Sequence, residues 1–219
     1  MLPIECNMPE LSRLRKPGAY TPFLLHQLIG AGKDFPATMA SYRRNFVRLA
    51  DKAVTDYCDV RDRVLLQIAE SKRSATDMSE NGRFLYMIEL TNRLEDCLIT
   101  THRLYRYFAK IKSDPSGFSM DRSFRQRLEH PSEAIRAVRD LVEHVDDDIN
   151  RNEIVAGQST APSLDEKTRT ISMGAVTLSV ETLARAIEHL HAFACDFAKQ
   201  RYTPSGIYEP MPKSGPVGT

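Results

Sequence analysis

The chain has 219 residues, enough for one domain with a sizeable core, since compact cores usually run about 100 to 200 residues. Thirty basic and 29 acidic side chains leave a formal net charge of +1, which excludes the global positive field of a non-specific nucleic-acid binder but allows a local basic patch. No stretch approaches the roughly 18 to 20 uncharged apolar residues of a membrane span, and the opening residues lack the order of a signal peptide, so a cytoplasmic protein with no membrane partner is expected.

Residues 1–21, with Pro3, Pro9, Pro17 and Gly18, read as an extended N-terminal arm. A short helix is expected from about Pro22 to Ile29, ended by Gly30 and Gly32. Pro36 suits the first turn of a helix, and Met39, Tyr42, Phe46, Leu49, Ala53, Tyr57, Val60, Val64 and Ile68 follow at helical spacing, which predicts one long amphipathic helix ending near Lys72. A second long helix is expected from near Gly82, carrying Phe84, Met87, Ile88, Leu94, Leu98, Tyr105 and Phe108, until Asp114, Pro115 and Gly117 break it. The third opens at Pro131 and Ser132 and shows Ile135, Val138, Val142, Val145 and Ile149 on one face. Between 150 and 178 the helical rhythm is lost, and the stretch Arg169 to Leu178, which contains Gly174, fits a small hairpin or an ordered loop. Ser179 suits the N-cap of a last helix whose apolar face is Val180, Leu183, Ile187, Leu190, Ala194 and Phe197. The expected fold is therefore all-α: a bundle of four main helices with a short fifth at the N-terminus, spanning residues 22–201 as a single domain. Residues 202–219, rich in proline and glycine, are expected to be a disordered tail.

The four cysteines, Cys6, Cys58, Cys97 and Cys195, form no C-x-x-C pair and sit largely beside apolar neighbours, which fits small buried hydrophobes rather than a zinc ribbon or a redox pair. The strings of P-loop, Rossmann, zincin and α/β-hydrolase chemistry are missing. In the third main helix, however, the apolar stripe leaves Arg139 and His144 on opposite flanks, so neither side chain is needed for a core. A guanidinium and an imidazole suit phosphodiester cleavage without a metal. The first binds the phosphate and its developing charge, and the second moves protons at the 2′-hydroxyl or the leaving oxygen. Five residues apart on one helix, the two can meet only if a second copy of the helix packs against the first.

The segment Arg139-Asp140-Leu141-Val142-Glu143-His144 resembles the R-x4-6-H signature of HEPN domains, including the polar residue after the arginine. The resemblance covers the motif and the helical layout over about residues 36 to 201. It implies an all-α protein that dimerises through the motif helices and, in many members, cleaves RNA without a metal in toxin–antitoxin or defence systems. It implies Arg139 and His144 as catalytic, Asp140 as the supporting polar residue, RNA as substrate, a homodimer, an antitoxin as protein partner, and neither metal nor cofactor. Arg125 to His130 and Arg185 to His191 also satisfy the spacing, but Pro131 puts the first at a helix boundary and Ala186 follows the arginine of the second.

Basic and aromatic residues interleave from His102 to Lys112, and Ser119 to Arg127 adds more cations, so Arg103, Arg106, Lys110, Arg122 and Arg125 are candidate RNA-binding residues. Glu188 and His191 form one E-x-x-H step of the kind used by carboxylate-bridged metal bundles, with Glu89, Glu95 or Glu143 as further carboxylates, but no second such step is present. A histidine at the edge of the core is the plainer reading of His191. A non-catalytic helical protein that assembles with itself or a partner is the alternative to an RNA endonuclease.

Overall fold

The computed structural model describes residues 6–15, 18–28, 35–114, 121–152, 160–165, 167–202 and 208–210. The glycines expected to end the first helix, the break at Pro115 and Gly117, and residues 203–207 and 211–219 of the expected tail lie outside them. Among the described residues, seven α-helices carry the fold: α1 (Tyr20–Leu28), α2 (Ala37–Ser71), α3 (Ala75–Asn81), α4 (Met87–Lys112), α5 (Arg122–Glu129), α6 (Ser132–Asn150) and α7 (Val180–Ala198). α2, α4, α6 and α7 are the four main helices that the periodicity predicts.

The 35-residue α2 is the axis of the bundle, about 52 Å long at 1.5 Å per residue. It packs chiefly against α4 and α7. Apart from the half-buried Tyr42, its predicted stripe is buried from Met39 to Val64, with Phe46, Ala53 and Tyr57 fully excluded from water. The opposing faces supply Leu94, Leu98, Leu104 and Phe108 from α4 and Leu183, Ile187, Leu190 and Phe197 from α7. Phe193 joins the three, edge-on to Phe46 at 5.1 Å and to Phe108 at 5.4 Å between ring centroids.

Two buried charges tie the helices together. Asp56 of α2 accepts from Lys52 Nζ at 2.6 Å and from Thr100 Oγ1 of α4 at 2.8 Å. Arg43, 4 % exposed, donates to the carbonyls of Phe197, Ala198 and Gln200 at 2.9, 2.6 and 2.8 Å. Its guanidinium thereby supplies donors and positive charge to the last carbonyls of α7, and it lies 4.5 Å from the Phe35 ring centroid.

The second main helix begins at Met87, not near Gly82. Arg73 is the reason. It binds Glu70 at 2.8 Å, Asp77 at 2.5 Å and the carbonyl of Gly82 at 3.1 Å, which winds the connection into α3, and Gly82 then turns with φ +73°. Phe84, Met87 and Ile88, expected on the core face, are consequently 54, 47 and 72 % exposed. α5, with Asp121 accepting from Phe124 N at 2.9 Å as its N-cap, was not foreseen.

The chain is mostly helical but not strictly all-α. Strands β1 (Ser163–Asp165), β2 (Thr170–Met173) and β3 (Val176–Ser179) form an antiparallel sheet in the order β1-β2-β3, pairing Leu164 with Ile171 and Ile171 with Leu178. Gly174, at φ +56°, opens the two-residue β2–β3 turn in the expected place. Ile171, Met173 and Leu178 are buried because β2 and β3 roof α6, which a helix-only expectation leaves out. Beyond Ser179, which accepts from Thr182 N at 3.0 Å as the predicted N-cap, α7 leads into β4 (Gln200–Tyr202). β4 pairs antiparallel with β5 (Tyr208–Pro210), so part of the expected tail is in a ladder.

Candidate functional site

α6 lies between α4 and the roof of β2 and β3. Its apolar stripe is fully buried only at Ile135 and Val138, whereas Val142 and Val145 are half-buried and Ile149 is 54 % exposed. The motif residues sit on the flanks, as the sequence requires, and they face different partners.

Arg139 has a side chain only 17 % exposed. Its guanidinium binds Asp140 Oδ1 at 2.9 Å and the carboxylate of Glu143, one turn further along, while Nε is buried without a partner. His144 points to solvent, its side chain 60 % exposed, with Nδ1 3.2 Å from Asp147 Oδ2. Within one chain the structure does not bring Arg139 and His144 together.

The imidazole in the electrostatic reach of Arg139 is His102 of α4. His102 is 8 % exposed and its Nδ1 has no partner. Burial lowers its pKa, and Arg139 and Arg106 lower it further, with Asp140 and Glu143 opposing them. It is accordingly neutral at pH 7, able to accept a proton, between the basic stretch of α4 and the motif of α6. Sequence reading named His102 only as part of a basic segment. The influence of Arg139 on it depends on how α4 packs on α6, which no local pattern encodes.

Arg103, Arg106 and Lys110 recur at helical spacing along one exposed edge of α4. With Tyr42 of α2 and Tyr107 they line an open groove of about 310 Å³, and the two tyrosine rings meet edge-on at 5.8 Å. None of the three cations has a carboxylate partner among the described residues. Arg106 also borders a second groove of about 410 Å³, which reaches His102, Ser132 and Arg136. Lys112 Nζ bridges to Glu129 of α5 at 2.6 Å along the same groove. Arg122 and Arg125, predicted to join the basic patch, stand on α5 and line neither groove.

The E-x-x-H step dissolves into two unrelated contacts. Glu188 is bound by Arg13 of the N-terminal arm, and His191 Nε2 lies 3.3 Å from Asp51 Oδ1. No cluster of three metal-ligating side chains occurs among the described residues. No described helix is long and apolar enough to cross a membrane. No protein-family model, curated protein or solved structure matches the chain.

Proposed function

We propose that the chain is a HEPN-like, RNA-directed helical protein: an endoribonuclease in which the α4 groove binds the RNA backbone and Arg139 engages the scissile phosphate. The observation that carries the reading is the packing of α4 against α6, with Arg103, Arg106 and Lys110 on an exposed edge of α4 and without carboxylate partners among the described residues. It sets the unpaired cations of α4 beside the motif of α6, although the net charge of the whole chain is close to zero. Tyr42 and Tyr107 add aromatic faces among those cations, the combination that takes up single-stranded RNA by phosphate contact and base stacking.

Two sources of the general base follow. His144, as the resemblance implies, would act from a second copy, and the half-covered stripe of Val142, Val145 and Ile149 offers the seam for it. His102, on the helix that packs against α6, is the alternative base within one chain. Labelled single-stranded RNA incubated with purified protein in EDTA decides between them. Cleavage leaving 2′,3′-cyclic phosphate ends and lost in Arg139→Ala supports the reading, and loss in His144→Ala or in His102→Gln identifies the base. Cleavage unchanged in Arg139→Ala rejects the site. A toxin role would further imply an antitoxin that covers the α4 groove.

A non-catalytic assembly protein is the second reading. It is favoured by Phe84 and Leu85 just before α4 and Met87 and Ile88 at its start, which are 54, 68, 47 and 72 % exposed. Undetectable cleavage of every RNA by a protein that self-associates through this patch would select it.

A further inference from the structure

Away from the α6 motif, two side chains of α7 and one of α2 form a relay. Cys195 Sγ, on α7, lies 3.7 Å from Nδ1 of His191, one turn earlier on the same helix. Nε2 of that ring lies 3.3 Å from Asp51 Oδ1 of α2, an ion-pair distance without good hydrogen-bond alignment. Asp51 is fixed in turn: Oδ1 accepts from Ala19 N at 2.9 Å and Oδ2 from Tyr20 N at 2.7 Å. The backbone at Gly18 comes so close that a Cβ there would stand 2.7 Å from Asp51 Oδ2. Asp51 and His191 are thus held by their surroundings. Cys195 is partly exposed and opens into a largely apolar pocket of about 270 Å³, walled by Ala19, Pro22, Phe23 and Ala198, with His26 and Lys199 also lining it.

The order thiol, imidazole, carboxylate is the arrangement that activates a cysteine as a nucleophile. The charged or titratable groups about the thiol are Asp51 from α2, His26 from α1, and His191 and Lys199 from α7 and its C-cap. The amides of Ala19 and Tyr20 are committed to Asp51 and do not serve as an oxyanion cradle. That excludes them from helping amide cleavage and favours an acyl group that is already activated. The apolar walls suit a hydrocarbon chain, and Lys199 suits an anionic carrier.

We propose that Cys195 accepts an acyl group from an acyl thioester, with His191 as its proton acceptor and Asp51 as the group that orients His191. The thiol proton rests on His191, which Asp51 holds beside the sulfur as an imidazolium, and the Cys195 thiolate attacks the thioester carbonyl. The new carbon–sulfur bond forms as the old one breaks, and the departing carrier thiolate recovers the proton from His191. Thioester exchange of this kind consumes no oxidant or reductant.

The probe is the octanoyl thioester of coenzyme A, given to the full chain and followed by intact mass and peptide mapping. One hydroxylamine-labile octanoyl group is expected on Cys195. It should form about tenfold or more faster than on Cys6, the other partly exposed cysteine, and slow by about tenfold or more in His191→Gln. Ala198→Phe fills the pocket and leaves the relay in place, so it should block octanoylation while iodoacetamide still labels Cys195 at the wild-type rate. Octanoylation of Cys195 no faster than of Cys6, or full octanoylation of Ala198→Phe, would overturn the proposal.

Discussion

The guanidinium of Arg139 is held by the carboxylate of Glu143 one turn further along α6, while His144, the next residue, turns its ring to Asp147. The resting state of the motif is thus an arginine already neutralised by its own helix. RNA phosphate must compete with Glu143 for it.

That competition predicts the effect of Glu143→Gln. Asp140 still holds the guanidinium in this variant, so loosening it from Glu143, an ion pair of about 0.2 to 1 kcal/mol, should tighten RNA binding by up to about fivefold. Fluorescence anisotropy with a short single-stranded RNA checks it. Weaker binding would mean that Glu143 positions Arg139 rather than masking it.

Stability should respond strongly at Arg43. Arg43→Leu removes three charge-assisted hydrogen bonds to the end of α7 and leaves those carbonyls without their buried donor. A loss of about 2 to 4 kcal/mol is expected in urea unfolding. Arg48→Leu, on the same helix but partly exposed, should change stability by less than about 1 kcal/mol.

The two buried histidines give pH dependences of opposite sign. Burial disfavours charge on His191, but Asp51 and Cys195 outweigh it and carry its pKa up to about 9. Its stabilisation is therefore fully present below the unfolded value near 6.5 and is lost as pH rises through about 9, at most about 3 kcal/mol in all. His102 is shifted down, so the unfolded chain takes up its proton first and stability falls as pH drops below about 6.5. Urea midpoints measured across the pH range should decline on both sides. His191→Gln should abolish the alkaline decline alone, and His102→Gln should reduce the acid one.

Much of the fold was legible because burial imposes helical period on α2, α6 and α7, and Ser179 caps as its side chain allows. α4 was read too early because Phe84, Met87 and Ile88 continue the period while Arg73, through Glu70, Asp77 and Gly82, bends the chain into α3 instead. The sheet was only half visible: Gly174 announces the turn, but β1 is three residues long and pairs across a separate connection. At the motif, the sequence shows that Arg139 and His144 leave the core. It cannot show that Arg139 would bear electrostatically on His102, or that His191 would find Asp51, because both relationships are made by helix packing between distant segments.

Self-association through α6 is the next consequence. Ile149→Asp puts a charge on the exposed end of the stripe, away from Ile135 and Val138, and should leave the monomer fold unchanged. Light scattering should show a dimer for the wild type and a monomer for the variant. If His144 is the base, cleavage falls with it; a wild-type monomer that cleaves RNA would assign the base to His102.

The most direct test of the account is RNA affinity at the α4 groove as a function of salt. Arg103, Arg106 and Lys110 are taken as phosphate contacts, and each contributes a slope of roughly 0.7 in log K against log salt for a single strand. The triple change to glutamine should weaken binding by about tenfold or more at 0.1 M salt and flatten the slope by about 2, with the circular dichroism spectrum unchanged. Equal affinity and equal slope in the variant would contradict the placement of RNA on this face.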